Sequence, residues 1–528
     1  MSQLLHQLLL EQAEKTPDAP AIGVKSQWFD YRAISSRTRD VAAGLQANGL
    51  LKHERVAVYL PKTLEAVCSY FGTTAAGGVM VPVNPILKAP QVEHILADCN
   101  ARVLITNKAR YKQMQEHLPH CPDLKLVVLV DSSEDSSEQN VKVSCWSDFI
   151  GKESEWKPSS AIDADMAAIL YTSGSTGKPK GVVLSHRNMV TGAHSVAEYL
   201  KNDNSDKLLC VLPFSFDYGF SQLTTAFSKG AACYLLEYLL PRDIVKAVCT
   251  QGITGLALVP PLWVQLAGMD WPSEAGCLRY FTNSGGAMPT ATLNPLREKL
   301  PNAAPYLMYG LTEAFRSSYL DPSQIDIRPT SMGKAIPNAE LLLINDAGEL
   351  CKPNEPGELV HRGGLVALGY WNDSERTAER YKPVPAQISG IPVTELAVWS
   401  GDIVRQDEEG YLYFVGRRDD MIKTSGYRVS PSELEEVVYS SGLVSEVTAI
   451  GIAHFRLGQA IVLVVVAGEA ALDEKAIIKY CQQKLPAFMV PAKVIEKASL
   501  ARNPNGKIDR KTLANEFKDL FADAEGTN

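Results

Sequence analysis

Between Tyr171 and Gly181 the chain reads Tyr171-Thr172-Ser173-Gly174-Ser175-Thr176-Gly177-Lys178-Pro179-Lys180-Gly181. Glycines let a backbone approach an anion and turn its N–H groups inward, while hydroxyls and lysines add donors and positive charge. That is the chemistry of a phosphate cradle, set against the plainer alternative of a solvated Gly/Ser connector. It is not a Walker A loop, because the glycine spacing is too short and Lys178 precedes proline where Ser or Thr is required. Three further groups could act with it. Glu313 closes Tyr309-Gly310-Leu311-Thr312-Glu313 after a short apolar run. A carboxylate at the end of a parallel strand faces the crevice where open α/β sheets bind ligands. Asp402 follows Ser400-Gly401, and Lys507 stands in Asn503-Pro504-Asn505-Gly506-Lys507-Ile508-Asp509, a turn-forming run that presents it to solvent. Taken singly, these three read as turn, hairpin and surface charges.

The elements that must position these groups alternate. Val56–Leu60, Val79–Val83, Val103–Ile105 and Leu126–Val130 read as strands, with a helix over Thr63–Thr74. Met166–Leu170 is a buried strand leading into the cradle, and a helical pattern begins after Ser185. Leu208–Leu212, Ala231–Leu235, Gly255–Val259 and Leu278–Asn283 continue the strands, with helical or turn stretches at Pro241–Thr250 and Pro260–Ala267. Apolar strands alternating with helices predict a parallel sheet covered on both faces. From Ile336 the pattern changes to antiparallel strands, Leu341–Ile344, Gly357–His361 and Tyr411–Val415, separated by Gly-containing turns. The expected class is therefore α/β. A large N-terminal domain of helix-covered, parallel-rich sheets (1–416) includes a small β-barrel-like subdomain (about 336–416). A charged link at 417–420 leads to a small α+β domain over 421–528, with helices at Ser432–Val438 and Asp473–Lys484 and strands at Val447–Ile452 and Ile461–Val466. Asp131–Asn140 reads as a polar, acidic loop.

A chain of 528 residues exceeds one ordinary core. A formal charge of −8 with no basic stripe argues against nucleic acid as a partner. The ten cysteines are scattered without C-x-x-C spacing, which points to reduced thiols in a cytoplasmic protein rather than a metal cluster. The N-terminal stretch lacks the basic leader and apolar core of a signal peptide. No apolar run reaches the ~18 residues a membrane span needs.

Tyr171–Gly181 closely resembles the signature loop of the adenylate-forming superfamily, which holds acyl-CoA synthetases, luciferase and the adenylation domains of peptide synthetases. Four more segments are similar in the same order along the chain. The resemblance implies ATP and Mg²⁺, with Thr172, Ser173, Gly174, Ser175, Thr176 and Gly177 around the phosphates and Lys180 supporting the loop. It makes Glu313 the Mg²⁺ ligand, places Thr312 on the α-phosphate, and sets Tyr309 and Gly310 against the nucleotide. Asn283-Ser284-Gly285-Gly286-Ala287 looks like the wall against adenine and acyl group. Asp402 would accept hydrogen bonds from both ribose hydroxyls, Arg417 would touch the same nucleotide, Asp419 would be the hinge of a mobile C-terminal domain, and Lys507 would be the catalytic lysine. The implied reaction adenylates a carboxylic acid and then passes it to a thiol. A luciferase-like oxidase and a non-catalytic binding relative are the competing classes. Retention of Lys180, Glu313, Asp402 and Lys507 speaks against the second.

The acid is addressed by Pro213-Phe214-Ser215-Phe216-Asp217-Tyr218-Gly219. Phe216-Asp217 is similar to amino-acid adenylating enzymes, whose aspartate pairs with the substrate ammonium. An unpaired carboxylate in an apolar pocket is costly, and a cationic substrate removes that cost. The plain alternative is a helix cap. Among amino-acid adenylating enzymes, the free-standing ones that the chain as a whole resembles are the prolyl-carrier-protein ligases, so L-proline is the first expectation. No phosphopantetheine attachment site stands in the chain, so the acceptor is a separate carrier protein, or CoA. An acyl-CoA synthetase for fatty or aryl acids is the alternative.

Overall fold

The computed structural model describes residues 2–132, 136–138, 141–150, 155–172, 179–385, 392–418, 420–424, 427–454, 457–468, 472–485, 487–503 and 506–521. Two nine-stranded sheets dominate it. In the first, Ala304–Tyr309, Tyr280–Asn283, Gly255–Leu258, Lys207–Cys210, Ala232–Leu235 and Pro20–Val24 run parallel, with antiparallel strands at both edges. In the second, Met166–Thr172, Val79–Pro82, Arg55–Tyr59, Ala101–Thr106, Leu126–Leu129 and Val141–Cys145 run parallel, again with antiparallel edges. Strands such as Val56-Ala57-Val58 and Ala167–Leu170 are buried throughout, as parallel strands covered on both faces must be.

Helices Tyr31–Ala47, Leu64–Ala75, His186–Tyr199 and Asp217–Lys229 join the two sheets in one apolar cluster. Leu64–Ala75 is buried on nearly every side, and a helix that is apolar all round belongs inside. Thr63 caps it by accepting from the Ala66 N–H. Phe71 stacks on Phe220 at 6.1 Å and meets Phe227 edge-on at 5.2 Å, so the two inner helices interlock. The outer face of the second sheet packs Val81, Leu104 and Val127 against Val92, Ile95 and Met114 of the covering helices.

A third sheet is wholly antiparallel: Ala339–Ile344, Gly357–Gly363, Leu396–Gln406 and Tyr381–Pro383, with Leu412–Arg417 also on Leu396–Gln406. A fourth, at the C-terminal end, is built on the long pair Val444–His454 and Gly458–Ala467, packed by helices Pro431–Tyr439 and Glu474–Lys484. The fold class is as expected, a large parallel-rich α/β part followed by a smaller α+β part.

Two details differ from the sequence reading. Lys180–Ser185, to which the sequence pattern assigns no element, is a strand antiparallel to Met166–Thr172, and helix His186–Tyr199 follows it. Ser136–Glu138, inside the acidic stretch read as loop, pairs as an edge strand with Val141–Cys145. In both cases the partner strand decides the conformation, which composition cannot show. Among the described residues no helix is long and apolar enough to cross a membrane, and the ten cysteines are free thiols.

Candidate active site

Thr172, Asn283 and Tyr309 stand at the C-terminal ends of parallel strands, Asp402 and Arg417 on the antiparallel third sheet, and Lys507 in the C-terminal part. Thr172 ends its strand directly opposite Lys180, so the two residues flank the cradle. Ser173, Gly174, Ser175, Thr176 and Gly177 lie outside the described residues. Thr172 Oγ1 is buried and has no hydrogen-bond partner among the described residues, as a donor awaiting a ligand oxygen would be.

Glu313 sits in a short 3₁₀ turn, Thr312–Ala314, following strand Ala304–Tyr309. Its Oε1 accepts from Lys180 Nζ at 3.1 Å and from the Tyr370 hydroxyl at 2.7 Å, and Tyr370 also accepts from Lys180 at 2.7 Å. Burial alone would raise the Glu313 pKa, but Lys180 and Tyr370 outweigh it and hold the carboxyl below the usual range. Burial lowers the Lys180 ammonium, with Glu313 opposing. Tyr370 reaches this position because Gly369–Tyr370 pairs with Lys180–Ser185, the strand leaving the cradle. Lys180 thereby neutralises the carboxylate expected to hold a metal. The side-chain hydrogen bonds described on Glu313 fall on Oε1.

On the third sheet, Asp402 and Arg417 face each other across adjacent strands. Arg417 Nε donates to Asp402 Oδ1 at 3.0 Å, and the Tyr309 hydroxyl donates to Oδ2. Burial disfavours the Arg417 charge, but Asp402 more than compensates and raises its pKa. The Tyr309 ring stacks on His361 at 6.0 Å, and both ring nitrogens of that buried histidine lack partners among the described residues. Asn283 and Ser284 are buried, whereas Gly286 and Ala287 are exposed. Gly285 adopts φ +85°, which favours glycine.

Lys507 enters from the C-terminal part. The Asn503 N–H donates to the Lys507 carbonyl at 2.8 Å, and Asn503 Oδ1 accepts from the Lys507 N–H at 3.0 Å, closing the turn. A Cβ on Gly285 would lie 3.6 Å from Lys507 Cε and 3.8 Å from Phe216 Cζ, so all three meet at one wall. The Lys507 residue keeps exposed surface, while desolvation of its ammonium by surrounding protein, and then Arg417, lower its pKa. Asp217, Asp402 and Glu313 act in the opposite direction. Asp419 lies outside the described residues.

The expectation that Asp217 stands unpaired is overturned. Asp217 opens helix Asp217–Lys229, and its Oδ2 accepts from Arg316 Nη1 at 3.2 Å, both side chains being buried. Its Oδ1 accepts from Thr312 Oγ1 at 3.4 Å. Burial raises the carboxyl pKa, and Arg316 and then Lys507 offset that only in part. Sequence reasoning missed Arg316 and Tyr370. A lone arginine between Phe315 and Ser317, three residues past Glu313, was the available signal for the first. Phe315 adds a second mark, a non-glycine φ of +52° with its ring packed on Gly192.

A family profile described as AMP-binding enzyme matches residues 9–371, and one described as AMP-binding enzyme C-terminal domain matches residues 433–507. The chain is 30% identical over 520 residues to a linear gramicidin synthase of Brevibacillus parabrevis, an alignment that takes 96% of this chain. It spans only 6% of that protein's length. It is 29% identical over 548 residues to a long-chain-fatty-acid–CoA ligase of Salmonella typhimurium, covering 98% of this chain and 95% of that protein. The fold superposes on ATP-bound MatB from Rhodopseudomonas palustris with a TM-score of 0.87 at 24% identity, over 99% of this chain and 100% of the other.

Proposed function

Because the chain belongs to the AMP-binding enzyme family, we propose that it is an ATP-dependent, AMP-forming ligase that joins a carboxylic acid to a thiol. In the first half-reaction a substrate carboxylate oxygen attacks the α-phosphorus of ATP, and the bond to pyrophosphate breaks. In the second, a thiolate attacks the acyl carbon of the adenylate and AMP leaves. No side-chain nucleophile is required, so the protein's work is positioning and charge neutralisation. The observation that carries this reading is the meeting of Lys507 with Gly285 and Phe216, within the fields of Asp217, Asp402 and Glu313.

In this reading the Lys507 ammonium bridges the acid and the α-phosphate. Thr172 donates to phosphate oxygens, Asp402 accepts from the ribose, and Tyr309, Ser284, Gly285, Gly286 and Ala287 form the wall against adenine and acyl group. Glu313 would hold Mg²⁺, which when bound neutralises phosphate charge. The 417–420 link would act as the hinge through which the C-terminal part withdraws Lys507 and admits a pantetheine arm. A cytoplasmic location fits the free thiols.

For the acid we propose an amino acid, L-proline first, passed to a separate phosphopantetheinyl carrier protein. Its support is the position of Asp217 beside Lys507 and Phe216. A second reading, a fatty or aryl acid joined to CoA, draws on Arg316, which gives Asp217 a cation before any substrate arrives. ATP–pyrophosphate exchange across amino, aryl and fatty acids tests both. Fastest exchange with an amino acid is expected. Fastest exchange with a nitrogen-free acid transfers the assignment to the second reading, and no exchange with any acid overturns the ligase.

A further inference from the structure

We propose that Arg316 is a positioning residue for substrate-amine recognition: it grips one oxygen of Asp217 and leaves the other for an ammonium in the acyl cleft. This inference rests on the amino-acid reading above and names the device that would make it work. Arg316 is itself fixed on several sides. Nη1 donates to Asp217 Oδ2 at 3.2 Å, Nη2 donates to Ser221 Oγ at 2.9 Å, and the guanidinium lies 4.7 Å from the centre of the Tyr218 ring. A Cβ on Gly310 would stand 3.3 Å from Arg316 Cα, so the arginine's backbone is wedged against the turn that carries Thr312 and Glu313.

The two oxygens of Asp217 are thereby made unequal. Oδ2 is committed to the guanidinium. The side-chain contact described on Oδ1 is the long 3.4 Å one from Thr312, and the Tyr218 backbone also hydrogen-bonds the carboxylate; with Arg316 on Oδ2 a carboxylate still has room for a further donor. Without Arg316 the buried carboxyl would lose its main counter-charge and turn toward the neutral acid, which makes a poor partner for an ammonium. One protein cation behind the carboxylate and one substrate cation before it gives Asp217 partners on both oxygens.

The test uses the full-length enzyme, the amino acid giving fastest pyrophosphate exchange (L-proline expected), and its nitrogen-free analogue, cyclopentanecarboxylate for L-proline. Arg316→Met should raise the KM for the amino acid by ~10-fold or more, as loss of a buried charge partner does, while the KM values for the analogue and for MgATP stay within about 2-fold. Arg316→Lys should restore part of the loss, and Ser221→Ala should cause a smaller loss in the same direction. If Arg316→Met does not fold, the latter two variants carry the comparison. An amino-acid KM that is unchanged or lowered overturns the proposal, because Arg316 would then be irrelevant to the amine or a competitor for Asp217. Equal losses on amino acid and analogue also overturn it. A wild-type enzyme that favours the nitrogen-free acid defeats the amino-acid reading itself, and this role with it, before any variant is made.

Discussion

Two buried carboxylates share this cleft, and burial pushes both toward the neutral acid, yet they settle on opposite sides of the ordinary value. Glu313, at the end proposed for the phosphates, is held low, whereas Asp217, at the end proposed for the acyl group, stays high. Each pairs directly with one protein cation, and Asp217 also feels Lys507, so the cations alone do not decide. Glu313 also receives the Tyr370 hydroxyl at 2.7 Å, while Asp217 has the longer Thr312 contact at 3.4 Å and feels the repulsion of Glu313. The short donors on Glu313 help to carry it below the ordinary value, while on Asp217 burial outweighs Arg316, Lys507 and the Tyr218 backbone. The phosphate end is built to keep its negative charge unaided. The acyl end keeps one that another cation would complete.

The largest effect belongs to the residue whose charge acts on both ends. Lys507→Ala should cut pyrophosphate exchange by ~10²-fold or more, as loss of a preorganised charge at the reacting atoms does. Thioester formation from supplied acyl-adenylate should survive, and equal loss in both halves would remove Lys507 from the bridging role. Glu313→Gln and Asp217→Ala then separate the two ends. Glu313→Gln should lower exchange with every acid alike by ~10²-fold, because the loss falls on the phosphates. Asp217→Ala should lose ~10²-fold on the amino acid alone and spare its nitrogen-free analogue. Losses of the same pattern in the two variants would mean that the ends are not functionally distinct. Tyr370→Phe should act more weakly, by roughly 10-fold or less, since it removes one neutral hydrogen bond from Glu313. That loss should shrink as Mg²⁺ is raised, and an effect indifferent to Mg²⁺ would show that Tyr370 merely packs.

The phosphate end is far more legible in the sequence than the acyl end, for a physical reason. Lys180 and Glu313 stand in segments whose glycines and hydroxyls announce a close approach to an anion, and the strand before each is an unbroken apolar run. Asp217 is visible in the sequence, but its environment is not. Arg316 lies 99 positions away and reaches Asp217 only because the Thr312–Ala314 turn and the residues after it fold back onto helix Asp217–Lys229. A single arginine within Phe315-Arg316-Ser317 carries no periodicity to mark it. Tyr370 is hidden in the same way, because its role comes from pairing with Lys180–Ser185, a strand that sequence pattern alone does not assign. The strand–helix alternation can be read because each element repeats its signal over several residues. The partners of buried charges are single residues set by tertiary contact.

The smallest expected effect tests the comparison on stability, with no substrate present. A carboxyl whose pKa is lower in the folded protein contributes stability above its unfolded pKa and loses it as pH falls through the folded value. Glu313 is of this kind. A carboxyl whose pKa is raised contributes most below its unfolded pKa and loses that contribution as pH rises through the folded value, which describes Asp217. Unfolded carboxyls titrate near about pH 4, so the two windows fall on either side of that pH. As pH drops from 7 toward about 4, Asp217 takes up its proton early, and the wild type should gain stability relative to Asp217→Asn. Below about pH 4 the wild type should lose stability relative to Glu313→Gln, as the charge held by Lys180 and Tyr370 is discharged. Urea unfolding of the three proteins at a series of pH values measures both differences. Slopes of the same sign would mean that the two carboxylates do not differ in the way their partners imply.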